Sequence, residues 1–376
     1  MKPDALQING KKFYYEEIVN YSFRDSIPIN GYEAKVLEFC RNWLNGQQEF
    51  VIHTSGSTGP PKNITLHRDQ LEASAGRTLK VLRLQPGDRT LVCLNVEAIS
   101  GLMMLVRGLV GNLDLTVIEP IANPLAFSKT EQPFDFISLV PYQLAAILQE
   151  TPAKKLVLDY AKAILLGGAP VDSRLETQIR QLKAPVYLSY GMTETASHIA
   201  LRLLNGPDRQ TGFTALPGVL LGQDERGCLT IEGDITRHQK IITNDLVDLR
   251  DGTFFVWLGR ADNTLNTGGY KVQLEKVEVI LAQALMQLHL DCRSFVAAEP
   301  DLKLGNRLIA VLEGEAPGAE TESLLQQEMA HLLSRYERPK AFYFIRSFVA
   351  TPSGKIDKIA TLSKINQTGN EPINEN

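Results

Sequence analysis

The sequence predicts an α/β protein. The expected architecture is a large N-terminal domain of layered, mostly parallel sheets with a small strand-rich part, then a small C-terminal α+β domain. Three observations carry this. Apolar runs such as "RTLVCLNV", "FDFISLVP" and "APVYLSYG" alternate with helical patterns such as "SGLMMLVRGLVG" and "YQLAAILQE", which indicates a parallel sheet covered on both faces. From about Gly227 the texture changes to short, turn-separated strands, "GCLTIEG", "QKIITNDLVDL" and "GTFFVWLG", which read as antiparallel. Beyond "GRADNTLNTGG" come two helical patterns interleaved with strands, the size of a separate small domain. The boundary falls at Arg260 to Asp262, dividing residues 1–259 from 260–376.

The elements follow in order. "EFVI" reads as a short buried strand and "HRDQLEASAGRTLKVLRL" as an amphipathic helix. Between them "HTSGSTGPPK" reads as a strand-to-helix loop, too polar and too rich in glycine to belong to a core. Small residues let backbone amides approach an anion and a lysine adds point charge, so this is the chemistry of a phosphate cradle. A Walker A loop needs Gly-Lys followed by Ser or Thr, whereas Lys62 here follows Pro61 and precedes Asn63. A flexible turn is the competing reading. After the turn "LQPGD" come a strand, the helix "SGLMMLVRGLVG", the strand "LDLTVIEP", the strand "FDFISLVP" and the helix "YQLAAILQE". Two further strands end in polar loops. "AILL" runs into Gly167-Gly168-Ala169-Pro170, a flat surface suited to an aromatic ring such as adenine, or a plain β-to-α turn. "VYLSY" runs into "GMTETAS", where Thr193 offers a hydroxyl for phosphate and Glu194 a carboxylate for Mg²⁺. The alternative there is a helix start capped by Thr193 or Thr195. In an open α/β sheet ligands bind beyond the carboxyl ends of the strands.

Composition narrows the classes. The chain has 376 residues, 44% hydrophobic and 22% charged, with net charge −4 and no long basic run. Nucleic acid is therefore not an expected partner. "MKPDALQING" lacks the apolar core of a signal peptide. "GLMMLVRGLVGN" is broken by Arg107 and too short to span a bilayer, so membrane insertion is not expected. Cys40, Cys93, Cys228 and Cys292 show no CxxC spacing and read as reduced thiols of a cytoplasmic protein. The tail "NQTGNEPINEN" reads as disordered.

The segments "HTSGSTGPPK", "LLGGAP", "YGMTET", "TNDLVDL", "GRADNTLNTGGYKV" and "TPSGK" occur in this order. Their set resembles the motifs of adenylate-forming enzymes, the acyl- and aryl-CoA ligases and their relatives, from Phe50 to Lys358. Within that family "SLVPYQL" and "YGMTETASHIA" are most similar to the o-succinylbenzoate–CoA ligases of menaquinone synthesis. The resemblance implies that Thr54, Ser55, Gly56, Ser57, Thr58 and Gly59 handle the ATP β- and γ-phosphates, with Lys62 at the loop's end. It implies that Gly167, Gly168 and Ala169 line the adenine and acyl pocket. Tyr190 would stack on adenine with Gly191 and Met192 beside it, Thr193 would meet the α-phosphate, and Glu194 would hold Mg²⁺. Asp245 would grip both ribose hydroxyls with support from Arg260, and Asp262 stands at the hinge position. Gly268 and Gly269 would pass the pantetheine arm of coenzyme A, and Lys355 would be the mobile lysine of the small domain.

For the acyl group the expected residues are Ser100, Gly101, Gly191 and Arg107. Arg107 lies seven residues after Ser100 on the same helix face, and an arginine snorkelling at a helix edge is the alternative. Three positions depart from the family pattern: His53 stands for an aromatic residue, Ala98 for the usual histidine, and Asn244 for glycine. The implied reaction has two halves. A small-molecule carboxylate attacks the ATP α-phosphate and expels pyrophosphate, and a thiol then displaces AMP. ATP, Mg²⁺ and coenzyme A are the implied cofactors, and a homodimer is left open. The competing readings are an enzyme that loads a carrier-protein phosphopantetheine and a non-catalytic nucleotide-binding relative, the latter disfavoured by the presence of both Glu194 and Lys355.

Overall fold

A computed structural model describes residues 3–20, 30–54, 62–126, 133–290, 292–316, 318–349, 356–368 and 373–374. The chain opens with the hairpin β1 (Ala5–Ile8) and β2 (Lys11–Tyr14), then α1 (Tyr15–Asn20) and α2 (Gly31–Leu44). Next, β3 (Glu49–Thr54) pairs antiparallel with β4 (Lys62–His67), and α3 (Arg68–Val81) follows. The hydroxyl-rich segment therefore joins two strands of a hairpin, not a strand and a helix. The missed strand has a plain cause. In "KNITLH" Ile64 and Leu66 alternate with polar residues at period two, and both pack into the cluster of Phe50, Ile52 and Leu71. Of that segment, Ser55, Gly56, Ser57, Thr58 and Gly59 lie outside the described residues.

The winding then becomes regular: β5 (Arg89–Val92), α4 (Ile99–Gly111), β6 (Asp114–Val117), β7 (Phe136–Leu139), α5 (Pro141–Glu150), α6 (Lys155–Asp159), β8 (Ala163–Leu166), α7 (Ser173–Ile179) and β9 (Val186–Met192). These strands pair in parallel in the order β9-β8-β7-β5-β6. From β5 the chain crosses to β6 on one side and returns to β7 on the other, so the winding reverses at β5. The loops at the carboxyl ends of β5, β7, β8 and β9 flank that reversal, where α/β sheets hold ligands.

The sheet does not stop there. β10 (Ser197–Leu203), β11 (Phe213–Ala215), β12 (Leu220–Gln223), β13 (Cys228–Glu232), β14 (Ile241–Arg250) and β15 (Phe254–Arg260) continue it by antiparallel pairing. The result is one 13-stranded sheet, β12-β13-β14-β15-β11-β10-β9-β8-β7-β5-β6-β1-β2. The strand-rich part is thus hydrogen-bonded into the parallel part, and antiparallel pairing begins at β9–β10, ahead of Gly227. Two large apolar clusters build the core, one around Phe136, Leu201 and Phe255, the other around Ile137, Ile164 and Val186.

Strands after Arg260 belong to smaller sheets. β16 (Thr264–Thr267) and β17 (Tyr270–Gln273) form a hairpin that leads to α8 (Leu274–Gln287). A four-stranded sheet of β18 (Ser294–Asp301), β19 (Gly305–Glu313), β20 (Ala341–Ile345) and β21 (Ile373–Asn374) carries α9 (Ala319–Leu332) and α10 (Lys358–Thr368). It has apolar clusters of its own around Leu281 and Phe295. The four cysteines form no disulfide. Burial pushes the Cys40 and Cys93 thiols up to about 12, which makes them inert fillers. Among the described residues no helix is long and apolar enough to cross a membrane.

Candidate active site

The best-defined part of the site is a carboxylate with its donors. Asp245 lies in β14 directly opposite Arg260 in β15 and is only 8% exposed. The Tyr190 hydroxyl donates to Asp245 Oδ2 at 2.6 Å, and the Trp257 indole Nε1 donates to Oδ1 at 3.1 Å. The Asp245 amide donates to Thr243 Oγ1 at 3.0 Å, and that hydroxyl donates to the Leu229 carbonyl at 2.8 Å. The Tyr190 ring sits edge-on to Phe255 at 5.0 Å and tilted to Phe213 at 5.6 Å. Burial, then the neighbouring Asp245 charge, push the Tyr190 phenol upward, so it remains a proton donor.

Arg260 faces chiefly the other way. Its Nε and Nη2 grip both oxygens of Asp262 at 2.8 and 2.6 Å, whereas Nη1 stands 3.9 Å from Asp245 Oδ1. This fork holds the Asp262 carboxyl below the usual carboxylate range. Asn244 also has a partner on each side. Its Nδ2 reaches Asp262 Oδ2 at 3.4 Å, and its Oδ1 accepts from Arg226 Nη1 at 3.1 Å. A glycine there would leave the Arg226–Asp262 bridge unmade.

At the end of β8, Ser189 Oγ donates to the Leu166 carbonyl at 2.8 Å beside Gly167, while Gly168 is exposed and Ala169 half-buried. At the end of β9, Gly191 admits no side chain, since a Cβ would lie 2.2 Å from the Ser197 carbonyl oxygen. After Met192 the 3₁₀ turn Thr193–Thr195 hands over to Ala196 and Ser197, both at positive φ, 49° and 89°. Strained backbone of this kind persists only where its surroundings hold it. Here Ser74 Oγ of α3 donates to the Ala196 carbonyl at 2.6 Å, and Thr195 Oγ1 accepts from the Met192 amide at 3.1 Å. Thr195 thus locks the turn, in which Thr193 is half-buried and Glu194 exposed. Glu194 has no hydrogen bond or ion pair among the described residues.

Arg107 is 1% exposed, so it does not snorkel at a helix edge. Its Nε donates to Thr78 Oγ1 at 3.3 Å, and its Nη2 to Ser197 Oγ at 3.2 Å and His198 Nδ1 at 3.3 Å. Because a guanidinium can only donate, His198 Nδ1 is an acceptor and the ring is neutral, its Nε2 proton directed at Thr78 Oγ1, 3.1 Å away. Burial and then the Arg107 charge hold His198 well below its ordinary value, and burial lowers Arg107 to about 9. No carboxylate pairs with Arg107 among the described residues. The neutral His198 has a consequence for stability. The unfolded chain takes up a proton below about pH 6.5 that the folded ring refuses, so this contribution is present above 6.5 and lost as the pH falls. His198→Gln should flatten the acid limb of a Tm-against-pH series between 6.5 and 5.

Ser100 lies half-buried at the start of α4. Gly101 is needed for packing, because a Cβ would meet the Asn95 carbonyl oxygen at 2.3 Å. Ala98 is the residue before α4 and supplies no side-chain cap, and Glu97 is taken up by Lys35 at 2.6 Å. Gly268 and Gly269 form the exposed tip of the β16–β17 hairpin, beside Tyr270 stacked on Tyr336 at 3.8 Å. Thr54 ends β3 and Lys62 opens β4. Lys355 lies outside the described residues. The structure therefore joins Tyr190, Asp245, Arg260 and Asp262 in one chain of contacts and places Gly191, Thr193 and Glu194 at the end of the same strand. Gly268 and Gly269 belong to a different sheet.

Reasoning from sequence missed Trp257, Thr243, Ser74, Thr78 and His198. One signal was available. Gln70, Ser74 and Thr78 recur every fourth residue on the apolar face of α3, and all three are buried. A polar stripe on the inner face of a helix requires buried partners.

The residues match known proteins in a consistent way. The family model described as "AMP-binding enzyme" matches residues 44–221, which takes in the loops after β3, β8 and β9. A 2-succinylbenzoate–CoA ligase from Salmonella typhimurium is 30% identical over 326 residues, 82% of this chain and 67% of that protein. A crystal structure from Dyadobacter fermentans, of an acyl-CoA synthetase (AMP-forming)/AMP-acid ligase II-like protein, is 49% identical. It covers 91% of this chain and 96% of its own, with TM-score 0.61. An o-succinylbenzoate CoA synthetase from Bacillus subtilis in complex with the acyl-adenylate intermediate OSB-AMP shares the fold at TM-score 0.67 and 23% identity, covering 87% of this chain and 70% of its own. With loops, strand order and relatives in agreement, this chain belongs to the AMP-binding enzyme family of adenylate-forming ligases.

Proposed function

We propose that this ligase joins 2-succinylbenzoate to coenzyme A through an acyl-adenylate, as a step toward menaquinone. The observation that carries the substrate class is Arg107, a buried cation without a counter-ion among the described residues, beside the strained Ser197 that abuts Gly191. An unpaired buried charge is costly, and the second carboxylate of an aromatic dicarboxylate would pair it. Relatives whose names specify 2-succinylbenzoate–CoA ligase support the same choice.

In the first half-reaction a carboxylate oxygen bonds to the ATP α-phosphorus and the bond to the β-phosphate bridging oxygen breaks. Asp245 accepts from the ribose hydroxyls with the lone pairs that Tyr190 and Trp257 leave free. Thr193 donates to the α-phosphate, the 54–59 loop and Lys62 hold the β- and γ-phosphates, and Lys355 offsets the growing charge. Glu194, a hard oxygen donor without a partner among the described residues, fits Mg²⁺ held by one carboxylate together with nucleotide phosphates. Bound there, the ion supplies positive charge to the phosphate oxygens. No cluster of three His, Cys, Asp or Glu that could hold a metal by itself occurs among the described residues. In the second half-reaction the thiol sulfur bonds to the acyl carbon, AMP leaves, and the thiol proton passes to solvent. Residues 260–376 turn about Asp262 between the halves, bringing Gly268 and Gly269 to the thiol's path.

The test is coenzyme A-dependent AMP release, without carrier protein, over a panel of aryl and alkyl mono- and dicarboxylates. 2-Succinylbenzoate should give the highest kcat/KM. Arg107→Met should lower kcat/KM for the dicarboxylate about 10- to 100-fold, the scale of one charge-assisted contact, and leave aryl monocarboxylates little changed. Equal losses for both classes would remove Arg107 from the acyl pocket.

A further inference from the structure

Trp257 lies outside the motifs that mark the nucleotide loops, yet its indole reaches the carboxylate proposed to hold ribose. Regular alternation would not bring it there. Asp245 is paired with Arg260, and along an undisturbed strand the residues on that face would be Arg260, Leu258 and Val256. The register slips between Leu246 and Val247: Leu246 faces Gly259, whereas Val247 faces Trp257. Leu258 is the extra residue and points outward, 49% exposed. The bulge turns Trp257 onto the face of Asp245, the kind of re-aiming that bulges perform beside active sites.

The contact is suited to one task. Rotation of an aspartate carboxylate about its last bond is soft, and one donor would leave the plane of the group free to swing. Two donors on different oxygens, Tyr190 on Oδ2 and Trp257 on Oδ1, fix that plane. An indole N–H donates only and carries no charge. It therefore neither neutralises the carboxylate nor competes for ribose hydroxyls. We infer that Trp257 is a positioning residue that orients Asp245 toward the ribose 2′- and 3′-hydroxyls, an inference that rests on the assignment of Asp245 to the ribose.

The experiment measures adenylation with ATP and with 2′-deoxy-ATP for the full chain and for Trp257→Phe and Asp245→Asn. Trp257→Phe keeps an aromatic filler and removes the donor. It should raise the ATP KM about tenfold, leave the carboxylate KM unchanged, and weaken the preference for ATP over 2′-deoxy-ATP. An equal loss with both nucleotides would mean that Trp257 only fills space, and the inference would be overturned. If Asp245→Asn abolishes the ribose preference while Trp257→Phe preserves it, the inference fails and the ribose assignment stands. If Asp245→Asn itself leaves the preference intact, the ribose assignment fails. A second measurement avoids altering the site. The chain's two tryptophans are Trp43 and Trp257, and Trp43 packs in a different cluster with Phe39 and Phe50. In Trp43→Phe the remaining indole reports on Asp245, and saturating AMP should change its emission. No change at saturation would overturn the inference.

Discussion

Asp245→Ala should lower kcat/KM for ATP by about two to four powers of ten, from loss of the two charge-assisted hydrogen bonds proposed to the ribose, of about 1.5–3 kcal/mol each. The loss should appear mainly as a higher ATP KM, with the KM for the carboxylate nearly unchanged. The same variant should also lose stability. Asp245 is nearly buried and receives Tyr190 and Trp257, and a donor left without its acceptor costs about 1–3 kcal/mol. Asp245→Asn separates the two effects, because it retains one oxygen for the protein donors while losing the charge. Initial-rate kinetics and a thermal melt of both variants check this. An ATP KM that does not move in either variant would remove Asp245 from the ribose site.

Lys355→Ala should slow acyl-adenylate formation by about two to three powers of ten, the range for a lost transition-state charge contact. Supplied with preformed acyl-adenylate and coenzyme A, the same variant should form thioester at close to the normal rate. The asymmetry follows from the proposed alternation of residues 260–376 about Asp262, which presents Lys355 to the first half-reaction alone. The segment containing it begins and ends close together, since the Asp357 amide donates to the Val349 carbonyl at 2.8 Å. The Val349 amide in turn donates to Thr361 Oγ1 of α10 at 3.0 Å. The base of the segment is thus tied to the small unit, and a lysine on it would travel with that unit. Pyrophosphate exchange for the first half and thioester formation for the second check the split. Equal damage to both would mean that Lys355 does not alternate.

The proposed hinge at Asp262 connects these two experiments. Asp262 is clamped by Arg260, and Asn244 links it to Arg226. These groups are at or near the surface, so each contact taken alone is worth little. Next to them Gln273 Nε2 donates to the Arg260 carbonyl at 2.8 Å. Arg260, which pairs across the sheet with the carboxylate proposed for the ribose, is also the residue that grips the proposed hinge residue.

The parallel strands, their helices and the loops that follow them were legible because each depends on contiguous residues. Apolar runs mark strands buried on both faces. β4 was hidden by the prolines and glycines before it, although Ile64 and Leu66 carried the two-residue period. β10 was absorbed into the motif "YGMTETASHIA", whose last residues, His198 to Ala200, are buried strand.

By itself, then, the sequence determined the fold class, the order of the motif-bearing loops and the family, since all of these are written in local pattern and in the succession of motifs. Tertiary structure decided what the polar residues face. Periodicity tells which side of an element turns inward but not what waits there. Arg107 is joined to His198, 91 positions away, and Tyr190 to Asp245, 55 positions away. Trp257 reaches Asp245 only because one unpaired residue, Leu258, shifts the register of β15 against β14. A single-residue shift reverses which face every later side chain occupies, and such a shift is set by the pairing of strands, not by the composition of either one.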